Sequence, residues 1–445
     1  MARRGEGSPD ELLAESRGLR RQLDYSGALA SARAAVAAYQ ATSDPGPRLA
    51  ESQLLLGHLE EDLGDLEAAE AAYIAAAQAT AAAEPAVRVH ALTRLASVLR
   101  DRGAITQAGA ALAEALAGAQ TRLPGGLEHA DVLAEQSRQL ITHGSYENAE
   151  RLARRAVAMA EAAPSSAAGD ETRTRALLAL GTALRVSGRY VEAHSVLRNA
   201  LASAQAAFGP GSLETAGALN DLGVCDKFSG RFDEGIEHYR RALAIFTGTV
   251  GPENVNVASI YHNLGGILHA RQDFEAAESY ARQAVELRER LLGPDHVLVA
   301  ADRAALAAIL MALRRYDEAE GLLRDALFCL ERAFGTENHE VVANYGNLAM
   351  IARRRGDLEE AERLYRRALE IKERMLGPEH PEAGVTLNNL AVVCRRLGRF
   401  DEAEALYRRA IDVLSKTVEP THPALAASRD NLSKLLDERT SGEPA

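Results

Sequence analysis

Histidine, cysteine and carboxylate groups recur along the chain at spacings that invite a search for chemistry. His296, His380 and His422 share one recurring position, which Asn254, Asn338 and Ser212 fill in other copies. A tetrahedral metal site needs several ligands converging on one ion. Neighbouring helices stand roughly 8–10 Å apart, so a ladder of single histidines cannot close such a site. Histidine, asparagine and serine at one position point instead to helix N-caps, with Pro381 and Pro423 at the first helical position. Cys225, Cys329 and Cys394 show neither CxxC spacing nor a histidine partner by motif, and read as reduced, buried thiols.

The carboxylates give the same answer. Glu359, Glu360 and Glu362, and likewise Asp401, Glu402 and Glu404, fall in the first turn of helices, where negative charge complements the macrodipole. Arg366, Arg367, Arg408 and Arg409 follow at ion-pairing distance along the same helices. Gly209-Pro210-Gly211 lacks the lysine and the strand of a phosphate-binding loop. No catalytic residue, cofactor site or metal site is therefore expected.

The elements that carry these residues repeat. A glycine, a polar residue, an aromatic or aliphatic residue and, five positions after the glycine, a small residue recur ten times. The glycine slot holds Leu23, Gly64, Gly103, Gly144, Gly188, Gly230, Gln272, Arg314, Gly356 and Gly398, and the last five steps are 42 residues each. Twelve positions beyond it stands an alanine in every copy, from Ala35 to Ala410, and eight before it a leucine in most, such as Leu222, Leu264 and Leu390. Glycine ends one helix in the left-handed conformation, and the small residues let a second helix approach closely. This predicts an all-α, right-handed α-solenoid of about ten helix-turn-helix repeats with a C-terminal capping helix.

The slots carry a family resemblance. Leucine, tight turn, aromatic, alanine, tyrosine (Tyr73, Tyr239, Tyr365, Tyr407) and alanine resemble the tetratricopeptide repeat. With Leu-Gly-Pro-Glu-His-Pro at 376–381 and Leu-Asn-Asn-Leu-Ala at 387–391, the 42-residue unit is similar to the repeats of kinesin light chains and their bacterial relatives. No heptad coiled coil precedes the repeats, so the likeness is to the repeats only. It implies protein–protein binding, usually of an extended peptide in a concave groove lined by the first helix of each repeat.

The expected organisation is a frayed start (1–9), irregular alanine-rich repeats (10–163) and a Pro/Ser/Gly loop or hinge (164–170). Regular repeats (171–421), a polar capping helix (422–438) and a frayed tail (439–445) follow. The chain is 47% hydrophobic and 26% charged, as in globular proteins. No apolar run reaches the ~20 residues of a membrane helix and Met1 to Leu13 lacks a signal-peptide core, so no membrane and a cytoplasmic location are expected. A net charge of −12 argues against a nucleic-acid partner.

Function is expected in the groove. Three positions before the glycine slot lie Arg185, Lys227, His269, Arg353 and Arg395, with Arg354 and Arg396 beside the last two. Nine before it lie Asn263, Asn347 and Asn389. Asparagine both donates to and accepts from a peptide backbone, and arginine pairs bidentately with carboxylate or phosphate. The expected partner is a protein or peptide with an extended acidic or phosphorylated segment. Alternatives are dipole capping by the same arginines, a ligand-responsive solenoid that changes curvature on binding a peptide or small molecule, and a self-associating module.

Overall fold

A computed structural model describes residues 7–42, 46–79, 84–164, 166–417 and 422–441. Residues 1–6 and 442–445 of the expected frayed ends, and Ser165 of the expected loop, lie outside them. All regular structure among the described residues is helical, and none of these helices is long and apolar enough to cross a membrane. The chain divides into two compact units, Met1–Arg271 and Gln272–Ala445.

The first unit holds α1 (Pro9–Arg21), α2 (Tyr25–Gln40), α3 (Gly46–Leu63), α4 (Leu66–Ala79), α5 (Pro85–Asp101), α6 (Ile105–Arg122) and α7 (Leu127–Thr142). It continues with α8 (Tyr146–Ala162), α9 (Ala167–Val186), α10 (Tyr190–Phe208), α11 (Leu213–Ser229), α12 (Phe232–Thr249) and α13 (Val255–Ala270). The second holds α14 (Phe274–Leu292), α15 (Val297–Ala312), α16 (Tyr316–Phe334), α17 (His339–Arg355), α18 (Leu358–Leu376), α19 (Pro381–Arg396), α20 (Phe400–Thr417) and α21 (Pro423–Ser441). In each unit odd-numbered helices pair with the even-numbered helices that follow, and then with the next pair.

All ten glycine-slot residues adopt positive φ, including the three that are not glycine: Leu23 (64°), Gln272 (68°) and Arg314 (61°). The turn geometry therefore survives where the residue that favours it is missing. The alanine slot is buried throughout, with Ala35, Ala200, Ala326 and Ala410 fully inaccessible. The helix pairs close on that slot and on a second small position. At Gly57 and Gly223 a Cβ would lie 2.5 Å from the ring of Tyr73 and 2.7 Å from that of Tyr239.

The shared joint position caps helices. The Asn254 and Asn338 side chains accept from the backbone N–H two residues on, each at 2.8 Å, and His296, His380 and His422 do the same through Nδ1 at 3.2–3.3 Å. Imidazole and amide are interchangeable there because each offers one acceptor at the same reach.

Candidate functional site

In the first unit α5, α7 and α9 touch one another directly, whereas successive even-numbered helices barely meet. The odd helices therefore form the inner wall. That wall is crowded with charge. Arg175 reaches Asp131 through two bonds of 3.0 and 2.7 Å, and Arg100 and Arg138 converge on Glu135 at 2.9 and 3.2 Å. Asp131 and Glu135 are only 7% and 3% exposed, so each needs its cation to be tolerated.

Residues remote in sequence complete this wall. Arg20 of α1 pairs with both Asp62 and Glu214, each at 3.1 Å, and the Asn254 side chain donates to the Leu63 carbonyl at 2.8 Å. The first repeats thus lie against the joints around Ser212 and Asn254. A cavity of about 270 Å³ remains inside, lined in part by Arg20, Asp62, Arg94, Glu171 and Glu214. Burial raises the Asp62 carboxyl to about 7, with Arg20 opposing. His58 and His90 face each other at 5.1 Å, and burial pulls both imidazoles below their ordinary range. Around it Arg175 pairs with Glu171 and Arg94 with Glu61.

Four of the expected groove residues lie in the first unit. Asn263 donates to Asn220 at 2.8 Å, tying α13 to α11. Arg185 and Lys227 lie over the ring of Phe228 at 5.4 and 5.8 Å, and neither has a carboxylate within ion-pair distance among the described residues. Lys227 extends over α13 at Gly266, where a Cβ would come within 2.8 Å of its Nζ. Burial lowers the Lys227 amine; burial and then Lys227 lower the His269 imidazole.

The other six lie in the second unit, on α17 and α19. Asn347 and Asn389 are half-buried and have no side-chain hydrogen-bond partner among the described residues. Arg395 pairs with Glu438 of α21 at 2.8 Å, and Arg396 donates to the Arg353 carbonyl at 2.9 Å. Arg353 lies against Tyr365, and its buried Nε has no partner. Arg354 is exposed and lacks an ion-pair partner among the described residues. These residues share one wall, but Arg395 and Arg396 are held by the fold.

Even-numbered helices treat arginine differently. Arg282 and Arg315 clamp Glu278 at 2.8 and 2.6 Å, with Glu318 closing the set, and Arg366 and Arg399 hold Glu362 and Glu402 in the same way. Glu362, Cys394 and Glu402 bring three possible metal-ligand atoms within 4.8 Å. The two guanidiniums already neutralise those carboxylates, and burial with Glu402 and Glu362 pushes the Cys394 thiol up to about 11. A protonated thiol among paired carboxylates makes a poor metal ligand. Burial likewise raises the Cys225 and Cys329 thiols.

Sequence reasoning missed Phe228. It is 53% exposed and stacks on Tyr190, with ring planes 7° apart. Its position, two before the glycine slot, holds Val186, Ala270, Ala312, Arg354 and Arg396 in neighbouring copies. An aromatic among small or charged residues was the available signal.

Family models for the tetratricopeptide repeat match residues 50–82 and, in three overlapping stretches, 301–374, 340–416 and 382–441; a MalT-like TPR region model matches 130–337. No curated protein matches the sequence. Similar solved structures include BtubC (BKLC) from P. vanneervenii, 20% identical with a TM-score of 0.43, covering 56% of this chain and 94% of that one. A putative kinesin light chain repeat protein from Podospora anserina is 22% identical with a TM-score of 0.41, covering 45% and 95%. The apo form of RapI is 14% identical with a TM-score of 0.47, covering 64% and 98%. With repeat models spanning 130–441 without a break and ten left-handed turns in register, the chain belongs to the tetratricopeptide-repeat family.

Proposed function

We propose that this repeat protein is a non-enzymatic, cytoplasmic interaction scaffold whose odd-numbered helices take an extended acidic segment of a partner protein. One observation carries the reading. Arg282 and Arg366 on the even helices are clamped by glutamates, whereas Arg185, Lys227 and Arg354 on the odd helices have no carboxylate within ion-pair distance among the described residues. Arg185 and Lys227 are partly buried, and with only the Asp221 carboxyl acting on Arg185 beyond ion-pair distance, part of their desolvation cost is not offset by an ion pair. An acidic ligand would supply the missing charge. Asn347 and Asn389, with free amides on the same wall as Arg354, suit the backbone of an extended segment.

The test is fluorescence anisotropy with a fluorescein-labelled, Asp/Glu-rich dodecapeptide. Combined Arg185→Glu and Lys227→Glu, both in the first unit, is expected to weaken binding by about 2 kcal/mol or more, with the melting temperature unchanged. Raising salt should weaken the wild-type complex, because exposed charges are screened within about 10 Å at 0.1 M. Equal affinity of the reversed and wild-type proteins would overturn the reading.

A further inference from the structure

We infer that the cavity inside the first unit, bordered by the odd-numbered helices from α1 to α11, binds a small organic dication, an alkane diamine. The inference is independent of the acid-binding wall and starts from the charges around the cavity. Arg20 is shared by Asp62 and Glu214, and Arg175 by Asp131 and Glu171. Arg100 lies between Glu135 and Asp101, Arg138 also serves Glu135, and Arg94 pairs with Glu61. In these pairs seven carboxylates stand against five guanidiniums. Burial holds the His58 and His90 imidazoles below their ordinary range, so neither adds a cation.

The surplus of acid sits where a ligand can reach it. Asp62, Glu214 and Glu171 line the cavity with side chains 19%, 23% and 27% exposed. Asp131 and Glu135, by contrast, are sealed. Two carboxylates on the single guanidinium of Arg20 leave negative charge that a one-to-one ion pair would cancel. The fold responds at Asp62, whose carboxyl burial raises to about 7 against the pull of Arg20, with Glu214 and Glu61 adding to the rise. A proton there stands in for a second cation, and an ammonium group can replace it.

The rest of the lining suits a short carbon chain. Leu178 and Phe208 present apolar surface. Gly217 of α11 leaves room, since a Cβ placed there would meet no neighbouring side chain within 4 Å. At about 270 Å³ the cavity lies below the ~300–1,000 Å³ of drug-sized sites, which restricts the occupant to a small molecule. A dicarboxylate or a phosphate would add to the surplus charge instead of offsetting it. A divalent metal ion fits less well, because among the described residues no three ligand atoms of this cavity lie within 4.8 Å of one another.

Calorimetric titration of the full chain with diaminobutane tests this, with butanediol, succinate and magnesium chloride as probes of matched length or charge. Diaminobutane is expected to bind at least about tenfold tighter than butanediol or magnesium, and succinate should give no binding. Gly217→Leu fills the cavity without removing a charge and should weaken diaminobutane about tenfold or more. Gly217→Ala leaves most of the space open and should keep the affinity, so the two variants separate filling from folding. Glu214→Gln removes one of the surplus charges and should also weaken binding about tenfold. Absence of diaminobutane binding, or equal binding of butanediol, would overturn the site, as would tighter binding of succinate or magnesium. Wild-type affinity in Gly217→Leu would overturn it too, placing the amine on the outer surface of a chain with net charge −12.

Discussion

The wall of α5, α7 and α9 and the wall of α15, α17, α19 and α21 are built from the same repeat positions, but they handle charge in opposite ways. In α7 of the first, the position nine before the glycine slot is Glu135, and this acid accepts from Arg100 of the preceding odd helix and Arg138 of its own. In α17 and α19 of the second, the same position is Asn347 and Asn389. An amide cannot neutralise an arginine. Helix spacing differs too: α7 packs broadly on α9, whereas α15 touches α17, and α19 touches α21, only slightly. An acid in that slot, with close odd helices, seals a wall upon itself; an amide with wider spacing leaves amides and cations facing outward. The second unit has exceptions among the described residues: Arg395 of the wall meets Glu438 at 2.8 Å, and Arg288 grips the buried Asp302 at 2.8 and 2.9 Å.

The sharpest way to break this contrast is to remove one sealed partner. Asp131→Ala leaves Arg175, 17% exposed in its side chain, with only Glu171 to pair with. A loss of about 3–5 kcal/mol is expected, read as a lower melting temperature for the first unit. A loss below about 1 kcal/mol would mean that water enters this wall freely.

A smaller effect should appear with pH. His58 and His90 have folded-state affinities for protons below their unfolded ones, through burial. The unfolded chain therefore binds more protons as pH falls through about 6.5, and stability must drop in that direction. Asp62 acts oppositely: its raised folded value gives stability that is present in acid and fades as pH climbs toward 7. Comparing wild type with His58→Gln at pH 7.5 and 5.5 isolates the histidine contribution. The variant should lose less stability in acid, and a parallel loss would remove the imidazole from the account.

Much of this fold was legible from the chain. The left-handed turn was readable at Gln272 and Arg314 because the period fixed the slot where glycine was absent, and the joint histidines were readable as caps because asparagine and serine alternate with them. Closure of Arg20 on Glu214 was not legible, since 194 residues separate them and no periodic signal encodes superhelical pitch. The slots identified which residues line a wall but not the distance between successive odd helices. Nor did they show that Arg395 would meet Glu438 of the next odd helix while Arg354 faces outward.

The turn itself gives a gain to measure. Gln272 at φ 68° bears about 1–2 kcal/mol of left-handed strain, and glycine adds about 0.4–1 kcal/mol of unfolded-state freedom. Gln272→Gly should therefore stabilise by about 0.5–1 kcal/mol, seen as a higher melting temperature. A lower one would show that the Gln272 side chain contributes more than its backbone strain costs.

Transplanting the acid sharpens the comparison of walls. Asn389→Glu puts into α19 the residue type that Glu135 supplies to α7. The acidic dodecapeptide should then bind about tenfold more weakly through like-charge repulsion and competition for Arg353, with little change in the melt. Unchanged affinity would place the peptide off this wall.

The smallest effect is expected on the even helices, where charge is plentiful and solvated. Arg408 holds Glu404 at 2.7 Å four residues away, but its side chain is 64% exposed. Glu404 also keeps Arg439 of α21 at 2.7 Å, so removing Arg408 does not strand the carboxylate. Exposed i,i+4 pairs contribute about 0.3–0.5 kcal/mol and are screened by salt. Arg408→Ala should therefore cost no more than that in dilute buffer and almost nothing in about 1 M salt. If it costs as much as Asp131→Ala, the outer clamps bear the fold as heavily as the sealed wall. The division between structural charge inside the first unit and solvated charge on the even helices would then fail.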